Sequence, residues 1–248
     1  MKEKIISIIN QKGGVGKTTT VINLAAGLSL LGKKVLVIDL DPQGNATTGL
    51  GLSNLENSEK SIYSVLNGSK QISEVIEKTK FENLDLITSN VDLSGLEVET
   101  AGDNRRAFIL KEQIMAYIND SRGDYSHILI DCPPSLSLLT IMALVSSESL
   151  LVPLQTEFFA LEGVTQLMKT IERIKNNLNP ELSIRGILLT MYDKRNKLSG
   201  EVEREAREYF KEKVYQTVVP RNVRLSEAPS HGMPVLIYDK SCPGSKSY

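Results

Sequence analysis

The sequence predicts an α/β fold with a doubly wound, mostly parallel sheet and helices on both faces. Short, largely β-branched apolar runs alternate with longer segments of helical period, as in proteins whose parallel strands are buried on both faces. The runs lie at 4–9, 34–39, 84–88, 127–131, 149–154 and 184–190, and helical periodicity covers 17–31, about 105–119, 160–178 and 201–211. No repeat or Pro/Ser-rich linker interrupts the pattern, so we expect a single domain over residues 1–248.

Composition excludes several classes of function. The 248 residues carry 29 basic and 30 acidic side chains, a balance that excludes a globally basic nucleic-acid-binding protein. The two cysteines, Cys132 and Cys242, form no closely spaced pair that could start a zinc site, and they favour a reduced, cytosolic compartment. No run of 18 apolar residues occurs, so we expect a soluble, cytoplasmic protein.

A glycine-rich loop follows the first strand. The stretch QKGGVGKTTT (11–20) comes after strand 4–9 and leads into the helix predicted from residue 17. Glycines let successive backbone N–H groups converge on phosphate oxygens, and the helix N-terminus adds a favourable dipole. In such a loop Lys17 reaches the β- and γ-phosphates and the Thr18 hydroxyl ligates Mg²⁺. The predicted nucleotide-binding residues here are Lys12, Gly13, Gly14, Val15, Gly16, Lys17, Thr18 and Thr19.

Two positions of this loop depart from the ordinary spelling G-x-x-x-x-G-K-[ST]. Gln11 stands where the first glycine belongs, and Lys12 adds a second positive charge. Because Lys17 and the loop amides already supply the donors that a triphosphate needs from its own loop, Lys12 is better placed to meet charge that arrives from outside. The alternative is a solvated lysine that serves the nucleotide of its own subunit.

The helix over 17–31 connects the first two strands. One of its faces is apolar and Gly32 follows as a C-terminal stop, so the helix forms the crossover of a βαβ unit. The stretch after the second strand, 44–62, is rich in Gly, Asn and Ser. We predict a mobile loop there.

Acidic residues close two of the predicted strands. Asp131 ends HILID (127–131), as a Walker B acid does, and would hold Mg²⁺ directly or through water. Asp39 and Asp41 end KVLVIDLD, where alternation along the strand places both on one face. The carboxyl ends of the strands are where open sheets bind ligands. The alternative for each aspartate is a turn or a helix cap.

The identity of the base follows from a missing motif. Guanine-binding P-loop proteins use N/T-K-x-D, and neither NKLS (196–199) nor TMYD (190–193) matches it. Adenine is therefore favoured, with ATP and Mg²⁺ as the cofactors.

Basic residues gather on two loops. Loop 193–200 carries Lys194, Arg195 and Lys197, and loop 220–224 carries Arg221 and Arg224. These side chains could contact DNA phosphates without recognising bases. A solvated charged surface is the alternative.

Four segments carry a resemblance to a known family. K-G-G-x-G-K-[ST] is the deviant Walker A spelling, and the stretches NQKGGVGKTTT, VIDLDPQGNATTGLG (37–51), ILIDCPPS (128–135) and PRNVRLSEAPSHG (220–232) resemble the chromosomal ParA/Soj partition ATPases, relatives of MinD. The resemblance spans almost the whole chain. It implies a homodimer with ATP, in which Lys12 crosses a two-fold interface to touch the phosphates of the partner's ATP.

The resemblance also implies roles for other residues. Asp41 orients or activates the attacking water, Asp39 supports it near the metal, and Pro220 and Asn222 contact adenine. Arginines at the positions of Arg195 and Arg224 bind double-stranded DNA nonspecifically in the ATP dimer. The predicted catalytic residues are Lys12, Lys17, Asp39 and Asp41, and the predicted metal ligands are Thr18, Asp39 and Asp131. Slow hydrolysis stimulated by a ParB-like centromere-binding partner and a nucleoid-associated, cytoplasmic location are further implications.

Three rival functions remain to be weighed. A MinD-like membrane ATPase requires a C-terminal amphipathic helix, and DKSCPGSKSY (239–248) has no apolar face. An iron–sulfur relative requires paired cysteines to bridge its cluster, whereas Cys132 and Cys242 are each isolated in the sequence. A metabolic ATP-dependent enzyme of the same superfamily requires a substrate-binding cluster, which the sequence does not show. Because ParA-like chains usually continue into a short final helix, we expect that helix to be missing here.

Overall fold

The computed structural model describes residues 4–52, 59–120 and 125–248. Within these ranges one eight-stranded sheet has the order β3-β4-β2-β5-β1-β6-β7-β8. The strands are β1 Lys4–Ile8, β2 Val35–Asp39, β3 Ile76–Lys78, β4 Leu84–Ile87, β5 His127–Asp131, β6 Ser149–Gln155, β7 Ser183–Tyr192 and β8 Val214–Pro220. Every neighbouring pair is parallel except β3 and β4. The predicted doubly wound, mostly parallel fold is confirmed.

Helices cover both faces of the sheet. They are α1 Lys17–Leu30, α2 Asn45–Gly49, α3 Ile62–Leu66, α4 Ile72–Val75, α5 Leu96–Glu99, α6 Ile109–Asn119, α7 Leu138–Ser146, α8 Ala160–Asn177, α9 Lys197–Phe210, α10 Val223–Glu227, α11 Val235–Tyr238 and α12 Pro243–Ser247. Alternation along β1 explains the two layers, because successive side chains point to opposite faces. Ile6 lies in the apolar cluster of Val21 and Ala25 from α1, whereas Ile5 lies in that of Met142 from α7.

The central strands end together at one edge of the sheet. In the register of the sheet Ile8 of β1 and Asp39 of β2 both pair with Asp131 of β5. Because the three strands are parallel, the segments that follow them emerge side by side. The glycine loop and the strand-terminal aspartates therefore share one edge.

The structure corrects the predicted loop at 44–62. Residues 45–49 form α2, with Ala46 and Thr47 fully buried, and α3 begins at Ile62. A Cβ atom on Gly49 would lie 2.4 Å from Ile22 Cδ1, so this glycine permits α2 to contact α1 closely. Residues 53–58 of the predicted loop lie outside the described residues.

Strands β3 and β8 were not predicted, and the C-terminal residues are more ordered than their composition suggests. Cys242 and Ser245 are buried at α12, and the Tyr248 hydroxyl lies 3.0 Å from Thr20 Oγ1 on α1.

In the described part of the chain no helix has the length and apolar character needed to cross a bilayer.

Candidate nucleotide-binding site

The loop between β1 and α1 has the backbone that its glycines predict. Gly14 and Gly16 have φ values of 75° and 90°, in the left-handed region where a side chain would be strained. Gly16 is the residue that precedes α1, so the first N–H groups of this 14-residue helix open toward the loop. The geometry therefore offers a ring of donors at a helix N-terminus.

Two side chains that the sequence analysis missed anchor this loop. The Asn10 amide donates to Pro153 O at 2.7 Å, and its oxygen accepts from Lys12 N at 3.0 Å. The Thr190 hydroxyl donates to Val15 O at 2.8 Å. These bonds tie the loop to β6 and β7, so its conformation is held by the neighbouring strands.

Lys17 lies beneath the loop, with 7% of the residue exposed. Its ammonium group donates to Lys12 O at 3.1 Å. Burial lowers the pKa of Lys17, and the negative charges nearby, chiefly Asp131, oppose that shift. The favourable partner for this desolvated cation is an anion in the loop.

Lys12 points to a different partner. It forms an ion pair with Glu157, which follows β6, and the two side chains are 46% and 33% exposed. Lys12 is not among the residues that line the cavity around the loop. The two lysines of the loop therefore have separate surroundings.

Asp131 is a fully buried carboxylate whose negative charge is poorly compensated. Neither of its carboxylate oxygens makes a hydrogen bond of normal geometry with a described residue, and the nearest compensating groups are Thr18 and Lys17. Desolvation and the nearby Asp39 carboxylate hold the pKa of Asp131 well above its usual range, while Thr18 and Lys17 partly oppose the shift. Such a group favours a nearby cation.

Asp39 is satisfied instead by the backbone and side chain of its neighbours. Its Oδ1 accepts from Asp41 N at 3.2 Å, and its Oδ2 accepts from Thr47 N at 2.8 Å and Thr47 Oγ1 at 2.7 Å. Burial raises the pKa of Asp39 to about 6, and the hydrogen bonds from Thr47 oppose that shift. Asp39 thus anchors the segment that carries Asp41, in keeping with its expected supporting role, and its expected role as a metal ligand stays a prediction.

Asp41 reaches the cavity above the loop. This cavity of about 540 Å³ is lined by Gly13, Lys17, Thr18 and Asp41 among others, and a smaller one of about 150 Å³ includes Pro220 and Asn222. Both are lined by Gly16, Thr19 and Met191. The structure therefore places the predicted phosphate residues, except Lys12 and the buried Val15, and the predicted base residues around adjoining spaces. A larger hollow of about 790 Å³ between the 68–74 segment and α6 contains none of them.

The two basic loops lie side by side. Arg221 N donates to Tyr192 O at 3.0 Å, and all five predicted DNA-contacting side chains are exposed. Two of them are already paired. Arg195 makes two hydrogen bonds to Asp193, at 3.0 and 2.9 Å, which hold the pKa of Asp193 down at about 2. Arg224 donates to Glu227 at 2.7 Å.

The glycine loop, its buried lysine and the aspartates at neighbouring strand ends define a P-loop nucleotide-binding protein with a deviant Walker A loop. A family model described as AAA domain matches residues 3–184. Over 245 residues the chain is 50% identical to the chromosome partitioning protein ParA of Caulobacter vibrioides, spanning 99% of this chain and 91% of that protein. The chain belongs to the ParA/Soj family of chromosome-partitioning ATPases.

Further similarities agree with this assignment. The sporulation initiation inhibitor protein Soj of Bacillus subtilis is 48% identical over 245 residues, with 99% of this chain and 95% of that protein covered. Cobyrinic acid a,c-diamide synthase of Mycobacterium smegmatis, solved with an ATP analogue and magnesium, has a TM-score of 0.86 at 32% identity, covering 100% of this chain and 91% of that one. The septum site-determining protein MinD of Pyrococcus horikoshii, solved with Mg-ADP, has a TM-score of 0.80 at 28% identity, covering 99% and 93%.

Proposed function

We propose that this protein is a single-domain, ATP-dependent dimerising switch of chromosome or plasmid partition. The observation that carries the proposal is the position of Lys12 in the phosphate loop, where its half-exposed side chain pairs with Glu157 instead of turning inward as Lys17 does. In the proposed dimer Lys12 leaves Glu157 and contacts the phosphates held by the second subunit. The γ-phosphate then favours the dimer because it interacts differently with the two assembly states.

The donor set fits a magnesium nucleotide. Mg²⁺ requires few protein ligands, since it keeps waters and binds substrate phosphates. The buried carboxylate of Asp131 and the nearby Thr18 hydroxyl would hold it, whereas Asp39, which accepts three hydrogen bonds, supports Asp41. Bound Mg²⁺ supplies neutralisation of the phosphate charge. Lys17 holds the phosphates, Asp41 orients the attacking water, and Pro220 and Asn222 contact adenine.

The test of the switch is the Lys12→Ala variant. We expect the wild-type protein to be a monomer with ADP and a dimer with ATP, and the variant to stay monomeric with ATP while still binding the nucleotide through Lys17. Light scattering with each nucleotide gives the oligomeric state, and equilibrium dialysis gives the binding. The Lys33→Ala variant, at the opposite edge of the sheet, is the matched control and should dimerise normally. A Lys12→Ala protein that dimerises as readily as the wild type would overturn the proposal.

Nonspecific binding of double-stranded DNA by the dimer belongs to the same proposal. The supporting observation is the adjacency of the two exposed basic loops, which two subunits would present twice. A ParB-like partner would stimulate hydrolysis and so release the protein from DNA. The protein would accordingly be nucleoid-associated in the cytoplasm.

The Arg224→Glu variant tests the DNA surface. We expect at least a tenfold loss of affinity for an arbitrary duplex, since a phosphate contact is replaced by repulsion. ATP-dependent dimerisation should be retained. Filter binding at two salt concentrations measures the change, with Arg185→Glu, an exposed arginine at the start of β7, as the control. Equal losses in the two variants would mean that net charge rather than this surface governs binding.

A metabolic ATP-dependent enzyme is the second candidate, favoured by the similarity to the Mycobacterium smegmatis synthase. The two candidates differ in their response to DNA. An ATP titration with and without duplex DNA separates them, because an enzyme that turns over a small substrate should be indifferent to DNA, whereas a partition switch should bind it only with ATP.

A further inference from the structure

We propose that Thr47 and Ser89 are positioning residues for Asp41, which they hold through a closed ring of hydrogen bonds. This inference rests on the proposed ATPase function, because it concerns the step in which Asp41 orients water. Neither residue lines the phosphate cavity. Both act through the segment that carries Asp41.

The ring has four links. Thr47 Oγ1 donates to Asp39 Oδ2 at 2.7 Å, and Asp39 Oδ1 accepts from Asp41 N at 3.2 Å. The carbonyl oxygen of Asp41 accepts from Ser89 Oγ at 2.6 Å. Ser89 N donates to Thr47 Oγ1 at 3.1 Å, which closes the ring.

The residues of this ring are buried, so breaking one of its hydrogen bonds is costly. Asp39 and Thr47 are fully buried, and Ser89 and Asp41 are 1% and 8% exposed. The Thr47 hydroxyl both donates and accepts, so its proton has one favourable orientation. In such surroundings a broken link leaves a buried polar group unsatisfied, because water does not replace it readily.

The ring joins three secondary-structure segments, of which the one that carries Ser89 is distant in the sequence from the other two. Asp39 ends β2, Thr47 lies on α2, and Ser89 follows β4. The main chain of Asp41 is held on its N–H side by Asp39 and on its C=O side by Ser89. Gln43 N adds a bond to the Asp41 carboxylate at 3.0 Å. Because catalysis is sensitive to displacements of about 1 Å, a carboxylate that orients water needs such support.

Three variants test the ring by steady-state ATP hydrolysis. In Ser89→Ala and in Thr47→Val we expect kcat to fall about tenfold or more, with KM for ATP within about twofold of the wild type. Thr47→Ser keeps the hydroxyl, so its kcat should be close to that of the wild type and well above that of Thr47→Val. Ser146→Ala removes a similar buried hydroxyl bond, from Ser146 Oγ to Met142 O at 2.7 Å on α7, and should leave kcat unchanged.

The outcomes separate the inference from the proposed function. If the wild-type protein does not hydrolyse ATP, both are wrong. If it does, and Ser89→Ala and Thr47→Val keep wild-type kcat, the ring has no positioning role. A fall in kcat that Thr47→Ser does not restore, or that Ser146→Ala shares, would mean general destabilisation and would also overturn the inference. Thermal unfolding midpoints and ATP binding verify that each variant is folded, and Ser89→Ala decides alone if Thr47→Val does not fold.

Discussion

Replacing Lys17 with alanine is expected to weaken ATP binding by about 30-fold or more. The Lys17 ammonium group is buried under the phosphate loop, where its favourable partner is an anion. Removing one partner of a desolvated charge pair costs about 2–5 kcal/mol, and 1.4 kcal/mol is a factor of ten in affinity. Isothermal titration with ATP and Mg²⁺ measures the loss directly.

The matched control for Lys17→Ala is Lys12→Ala, which changes the other lysine of the same loop. We expect it to bind ATP, because Lys12 does not line the cavity of its own chain. Thermal unfolding without nucleotide should show that both variants are folded. Comparable ATP affinities for Lys17→Ala and the wild type would contradict the assignment of this cavity as the phosphate site.

Replacing Asp41 with alanine is expected to lower kcat for ATP hydrolysis by about 10²- to 10⁴-fold, the range of a positioned general base. Asp41 lines the phosphate cavity, and its carboxylate is held by Gln43 N. We expect ATP binding and dimerisation to proceed without this carboxylate, so the variant should accumulate as a long-lived ATP dimer. Phosphate release gives the rate, and light scattering after removal of unbound ATP gives the dimer lifetime.

The Asp41→Asn variant separates charge from size in this experiment. Asparagine keeps the shape and can still accept the Gln43 N–H bond, so a rate as low as that of Asp41→Ala would locate the effect in the carboxylate charge. Normal hydrolysis by Asp41→Ala would show that the catalytic assignment is wrong.

Much of the fold was predictable from the sequence because its central strands are continuous apolar runs. The strand predicted at 127–131 coincides with β5, and helix 160–178 matches α8 to one residue. Strand β3 has only three residues, Ile-Glu-Lys, which are too few to form an apolar run that predicts a strand. Helix α2 differs from the loop that the sequence predicts because its stability comes from the bonds of Thr47 to Asp39 and its contact with α1, which are tertiary interactions.

The site residues also divide into those that local motifs predict and those that depend on distant contacts. The phosphate loop and its strand-terminal aspartates lie in short motifs whose chemistry depends on local spacing. Asn10, Thr190 and Ser89 were missed because each acts on a partner 48 to 175 residues away, and a lone polar residue in a sequence does not reveal such a partner. The roles assigned to individual site residues stay predictions until the variants are measured.

Asp131 has one further consequence for the protein. Burying the poorly compensated carboxylate of Asp131 together with the desolvated Lys17 costs stability whenever no nucleotide and metal are bound beside them. Binding of the nucleotide and its metal would offset that cost, and a ligand at 100 times its dissociation constant adds about 2.7 kcal/mol to the free energy of unfolding. The thermal stability of the protein would then depend on the nucleotide concentration. Mutations of Asp131 or Lys17 that stabilise the protein without nucleotide would impair nucleotide binding.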